Sequence, residues 1–177
     1  MSVLTIQLGQ CGNQVGAQLF DSLYRDSLLL DSPRASNSIT SPSLLSNAAE
    51  YALEPFFSMQ EKDSRTELRP RAVLVDMEPK VVRRCLEGVP RSRSHVPASV
   101  ALASSAWPSW RYRPEQAYVH KCGSGNNWAY GYNVHAPRCW PHVAEIVRKQ
   151  LELCDHFGGF LVLMSLAGYI YLSSLMC

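Results

Sequence analysis

Short apolar runs and amphipathic stretches alternate along the beginning and the later part of the chain, and two long segments between them carry neither pattern. Residues 3–8 form an apolar, β-branched run and are expected as a strand. Directly after it Val15, Leu19 and Leu23 recur every four residues, which predicts a helix over 12–29. Residues 72–75 are wholly apolar, as expected of a strand covered on both faces. Behind them Pro79 suits a first helical position, and 80–86 reads as a short helix. A second clear helix is predicted over 141–157. Its apolar stripe is Val143, Ile146, Val147, Leu151 and Cys154, with Arg148, Lys149 and Glu152 off the stripe. Pro141 suits its first turn and Gly158-Gly159 its end. Residues 160–166 read as another apolar strand.

This order predicts an α/β fold, the first half of a doubly wound parallel sheet with long disordered loops. In such a sheet the strand at 160–166 pairs with the first strand. Its outer edge is then flat, apolar and uncharged, an aggregation hazard. One partial nucleotide-binding domain is expected over 1–168, with a divergent tail over 169–177. Residues 31–70 are rich in Ser, Asn, Pro and Leu and read as a long loop, with room for a helical turn around 44–52. Residues 87–117 hold no period and several prolines, and read as an atypical insertion, disordered or loosely packed. Arg91 and Arg93 there read as a solvated loop rather than an anion site.

Candidate chemistry sits where strands give way to helices. Gln7-Leu8-Gly9-Gln10-Cys11-Gly12-Asn13-Gln14-Val15-Gly16 places a glycine-bearing turn between the first strand and helix. The first N–H groups of a helix lack intrahelical partners and lie at the positive end of its dipole, so the turn can receive an anion such as phosphate. Gln10 and Asn13 add amides within reach of phosphate, ribose or a metal-bound water. The glycine spacing is neither the dinucleotide fingerprint nor a P-loop, and a plain tight turn accounts for it equally well. Asp76 and Glu78 follow the second apolar strand, at the end where open parallel sheets bind ligands. Carboxylates beside phosphates imply a cation between them, so Mg²⁺ is expected there; a helix start behind Glu78-Pro79 is the structural alternative. Gly123-Ser124-Gly125-Asn126-Asn127 forms a second glycine-bearing turn. Trp128, Tyr130 and Tyr132 after it are expected to pack beneath the loop.

Composition narrows the classes. A net charge of +2 over 177 residues argues against a nucleic acid or an acidic membrane as partner. Six cysteines without C-x-x-C pairing fit reduced thiols in a cytoplasmic protein. The five histidines show no metal-ligand spacing. Neither a secretory leader nor, given the serines and glycines that dilute 157–177, a membrane anchor is expected.

The opening motif resembles the first nucleotide loop of the tubulins. Val73-Leu74-Val75-Asp76-Met77-Glu78-Pro79 and Gly123-Ser124-Gly125-Asn126-Asn127-Trp128-Ala129-Tyr130-Gly131-Tyr132 resemble two further tubulin stretches, in the same order. Met77, Lys80, Tyr130, Tyr132 and Val134-His135 look most like the delta branch of the family. The resemblance covers 1–30, 70–86 and 118–168. It implies GTP and Mg²⁺ as ligands. Gln10, Cys11, Gly12 and Asn13 would face phosphate or ribose, joined by Ser124, Gly125, Asn126 and Ser165. Glu78 would hold the metal, with Asp76 beside it. Other tubulins, microtubules and cytosolic chaperones are the implied partners, and cytoplasm, centriole, centrosome, cilium and nucleus the implied locations. The glycine-rich family motif departs after Gly168, so a truncated domain is expected, with weak or absent nucleotide binding and no hydrolysis by this chain alone. A regulatory or inert isoform is the alternative.

Overall fold

The computed structural model describes residues 1–30, 47–62, 65–87, 110–121 and 127–165. β1 (Ser2–Leu8) runs straight into α1 (Gly9–Leu30). α2 (Asn47–Leu53) and an antiparallel hairpin of β2 (Phe57–Lys62) and β3 (Arg65–Pro70) follow. Then come β4 (Ala72–Asp76), α3 (Pro79–Glu87), a 3₁₀ turn (Pro114–Gln116) and β5 (Ala117–Val119). A helical turn (Trp128–Tyr130) and a π-turn (Gly131–His135) lead into α4 (Ala136–Leu151), and β6 (Phe157–Leu163) comes last.

Four strands form one sheet in the order β5-β4-β1-β6, every pair parallel. This is half of a doubly wound sheet, as the alternation of patterns predicts, and β6 lies at the edge beside β1. All of β4 is buried, which is why its sequence is an unbroken apolar run. Side-chain alternation in β1 and β4 divides two cores. On one face Phe20, Leu28, Leu53, Phe57, Leu68, Leu74, Val82 and Tyr112 pack together beneath α1 and α3. On the other Leu4, Leu8, Val73, Val75 and Val143 meet Ile146, Val147, Leu151 and Val162. The predicted stripe of α4 is thus its buried face.

Several expectations require correction. α2 falls where a helical turn around 44–52 is expected, but the loop expected through residue 70 also contains a hairpin. Phe57 and Leu68 enter the core, but with only these two large apolar anchors fully buried the hairpin shows too little alternation to stand out. The end of the supposed insertion is packed rather than loose. The Tyr112 ring meets Phe20 edge-on at 5.9 Å and Trp110 at 5.4 Å. Buried Gln116 donates through Nε2 to the carbonyls of Pro70 (2.7 Å) and Ala72 (2.9 Å), pinning β5's approach to β4. α4 begins at Ala136 and not at Pro141, because Pro137 serves the first turn, and it ends at Leu151. Gly158 and Gly159 belong to β6 instead of closing that helix. α1 begins at Gly9, three residues earlier than its apolar period indicates. The expectations for 31–46, 88–109 and 169–177 lie outside the described residues.

Candidate functional site

Parallel pairing brings the carboxyl ends of all four strands to one edge, where α1 and α3 begin. Gly9 takes φ 68°, a left-handed conformation that favours glycine, and turns the chain from β1 into α1. Gln10 and Cys11 face outward; Gly12 and Asn13 are buried. A Cβ on Gly12 would stand 2.1 Å from the carbonyl oxygen of Leu163, the last residue of β6. Only hydrogen fits there, so the first turn of α1 sits directly on the end of β6. One turn later a Cβ on Gly16 would strike the Gln7 amide, 2.2 Å away. Gln7 lies flat beneath α1 and donates to the Tyr112 hydroxyl at 3.0 Å.

Asn13 is fully buried. Its Nδ2 donates to the carbonyl of Gly9 (2.8 Å) and to that of Val75 at the end of β4 (3.2 Å). Both amide hydrogens are therefore spent within the chain, and Oδ1 is what remains to meet a ligand. Asp76 accepts the Glu78 N–H at Oδ1 (3.0 Å), which fixes the turn into α3. Burial pushes its carboxyl above the ordinary value against the pull of the Glu78 and Met77 N–H groups, and the nearby Glu78 charge adds to the rise. Asn13 Oδ1 and Asp76 Oδ2 find no hydrogen-bond donor among the described residues. Both are acceptors, the chemistry that suits a hydroxyl or the waters of a hydrated cation. Cys85 of α3 donates its thiol to the Asn13 carbonyl at 3.7 Å. Burial, then the Asp76 charge, raises the pKa of that thiol.

The other expected residues divide. Glu78 is exposed directly before α3, and Ser165 is exposed just past β6, so both reach this edge. Ser124, Gly125 and Asn126 lie outside the described residues. Their neighbour Asn127 caps the helical turn, its Oδ1 accepting the Tyr130 N–H at 3.2 Å. Tyr130 and Tyr132 are 46% and 40% exposed, against the expectation that they pack beneath the loop. The π-turn explains this. Ala136 bonds back to Gly131, five residues away, just before Pro137, whose ring crowds the carbonyl four back and which has no N–H to give. Buried His135 sits edge-on to Tyr130 at 5.0 Å; burial lowers its pKa, with His120 and Arg138 adding to the effect. Sequence reasoning missed Gln7, Cys85 and Tyr112 as members of this region. Gly16, the last residue of the motif and one turn past Gly12, is a signal that something from the sheet must pass beneath it. No described helix is long and apolar enough to cross a membrane.

Strand order, the glycine-bearing helix start and the carboxylates behind β4 define an α/β domain of the parallel-sheet class, in which the carboxyl edge of the sheet is the usual place for a ligand. The family model for the Tubulin/FtsZ family, GTPase domain, matches residues 2–169, and the chain belongs to this family. It is similar to the tubulin delta chain of Homo sapiens, 41% identical over 170 residues that cover 95% of this chain and 32% of that protein. The tubulin delta chain of Canis lupus familiaris is 40% identical over 171 residues, with the same shares covered. A tubulin beta chain from Porphyra purpurea is 33% identical over 166 residues, 94% of this chain and 30% of its own. The chain thus spans about a third of the length of the curated relatives it matches.

Proposed function

We propose that this chain carries the phosphate- and metal-facing part of a delta-type tubulin nucleotide site, taking GTP with Mg²⁺ at the carboxyl edge of the sheet. The observation that carries the reading is the seat of α1, whose first turn lies on β6 through Gly12 with the buried Asp76 carboxyl at the end of β4, across β1. These residues fit the ligand. A close-packed glycine leaves backbone amides open to an anion, and two buried acceptors suit donors carried by a hydrated cation. Gln10, Cys11 and Gly12 would face phosphate or ribose, with Ser124, Gly125, Asn126 and Ser165 completing the contacts. Glu78 would hold Mg²⁺ with Asp76 behind it. Bound Mg²⁺ would supply charge neutralisation between the phosphates and these carboxylates. No residue here is assigned to hydrolysis, and binding by this chain alone is proposed to be weak.

The delta-chain relatives favour a cytoskeletal setting in the cytoplasm, at microtubules, centrioles and cilia, with other tubulins as partners. Half-exposed Phe157 and Phe160 on the edge strand favour engagement by chaperones as well. The test is fluorescent GTP titrated with and without Mg²⁺, on the wild type and Glu78→Ala. Mg²⁺ should tighten binding to the wild type, and Glu78→Ala should lose about tenfold or more of that gain. An identical Mg²⁺ response in both proteins would remove Glu78 from the metal.

A further inference from the structure

Asn13 differs from Gln10 and Cys11 in that every hydrogen it can donate is already placed. Its Nδ2 bonds the carbonyl of Gly9, the left-handed residue of the β1–α1 turn, and that of Val75, which precedes Asp76. Its own backbone carbonyl accepts the thiol of Cys85, in the helix that follows Glu78. Three elements, α1, β4 and α3, therefore meet on one residue that is 0% exposed. A phosphate oxygen brings no proton, and an amide with both hydrogens spent has none left to offer it.

We infer that Asn13 is a positioning residue: it locks the β1–α1 turn to the β4–α3 turn, so that the helix amides and the carboxylates of Asp76 and Glu78 are presented as one rigid unit. Its side chain does not itself grip phosphate. The ligand half of this inference rests on the nucleotide reading above; the locking half does not.

Asn13→Asp tests it, because the shape is kept while both donors become acceptors facing two carbonyls. Hydrogen exchange without nucleotide should quicken about tenfold or more at the amides of 9–16 and of 76–85 together. Leu28→Ala, at the far end of α1, controls for plain loss of stability and should leave those two segments protected relative to its own neighbours. GTP affinity of Asn13→Asp should fall about tenfold or more with and without Mg²⁺ alike. Wild-type exchange combined with lost affinity would mean that Asn13 acts through contact with the ligand and not as a lock, and would overturn the inference. So would an Asn13→Asp protein whose Mg²⁺-dependent affinity is kept or increased. If the wild type binds no GTP, the nucleotide reading falls and exchange alone decides the lock, quickened segments supporting it and unchanged ones refuting it. Should Asn13→Asp not fold, Cys85→Ala removes the thiol contact together with one sulfur of core packing and should quicken the same two segments to a smaller extent, beyond what Leu28→Ala does to them, with no change counting against the lock.

Discussion

The two faces of the sheet are built to different standards. Beneath α1 and α3, Phe20, Phe57, Trp110 and Tyr112 form a ring of edge-on and tilted aromatic contacts 5.2 to 6.2 Å between centroids, closed by the Gln7–Tyr112 hydrogen bond. Beneath α4 the buried residues are aliphatic and few, with one partly buried ring, Tyr118, stacked on His142 at their margin. Along β6 no residue is fully buried, and Phe160 is 51% exposed. The same strand β1 serves both faces, so backbone pairing is not the cause. The difference is what covers the sheet: helices, a hairpin and the 110–117 segment on one side, α4 among the described residues on the other. A well-covered face beside a partly covered one sets the starts of α1 and α3 on the better-packed half, while β6 carries no buried residue.

The sharpest test of this contrast is a matched pair of truncations. Phe20→Ala should cost about 3–5 kcal/mol in urea unfolding, whereas Phe160→Ala should cost well under about 1 kcal/mol, since half of that ring is already in water. Equal losses would show that the two faces do not differ in the way described. Next in size is Gly12→Ala, at the junction of the faces. A methyl 2.1 Å from a backbone carbonyl cannot be relieved by a side-chain rotation, so α1 must lift from β6 at about 1–3 kcal/mol. Faster exchange of the β6 amides would be its local mark, and an unchanged melt would show that β6 gives way freely.

The smallest expected effect concerns pH. Asp76 has its folded-state pKa above the ordinary 3.8, so the folded chain holds that proton more tightly than the unfolded one. Its contribution is complete below 3.8 and is lost as pH rises through the raised value. Asp76→Asn should therefore raise the melting temperature at neutral pH without Mg²⁺, and the gain should vanish as pH falls toward 3.8. A gain that grew on acidification would reverse the sign.

How much of this was readable beforehand follows from period and spacing. The strand at 72–75, the start of α3 and the stripe of Val143, Ile146, Val147 and Leu151 each declare themselves through a local rhythm, and the edge position of β6 follows from chain order. Tyr112 and Gln116 declare nothing. Each is a single buried residue in a segment with no period, and its partners, Gln7 and the carbonyls of Pro70 and Ala72, lie more than forty positions away. The start of α4 was misplaced because two prolines lie near it and either one suits a first turn. Among the candidate residues, Gly12 and Asp76 stand at the edge their motifs suggest. The role of Asn13 depends on which atoms its hydrogens reach, and that is a property of the folded chain.

The wide turn at Gly131–His135 has a geometric effect beyond its own bonds. One surplus residue in a helix turns everything before it by about 100° around the axis. The stretch ahead of it can thus be aimed without disturbing the stripe that seats α4. Asn127 and Tyr130, which precede the wide turn, take their direction from that offset, while Val143 stays seated in the core.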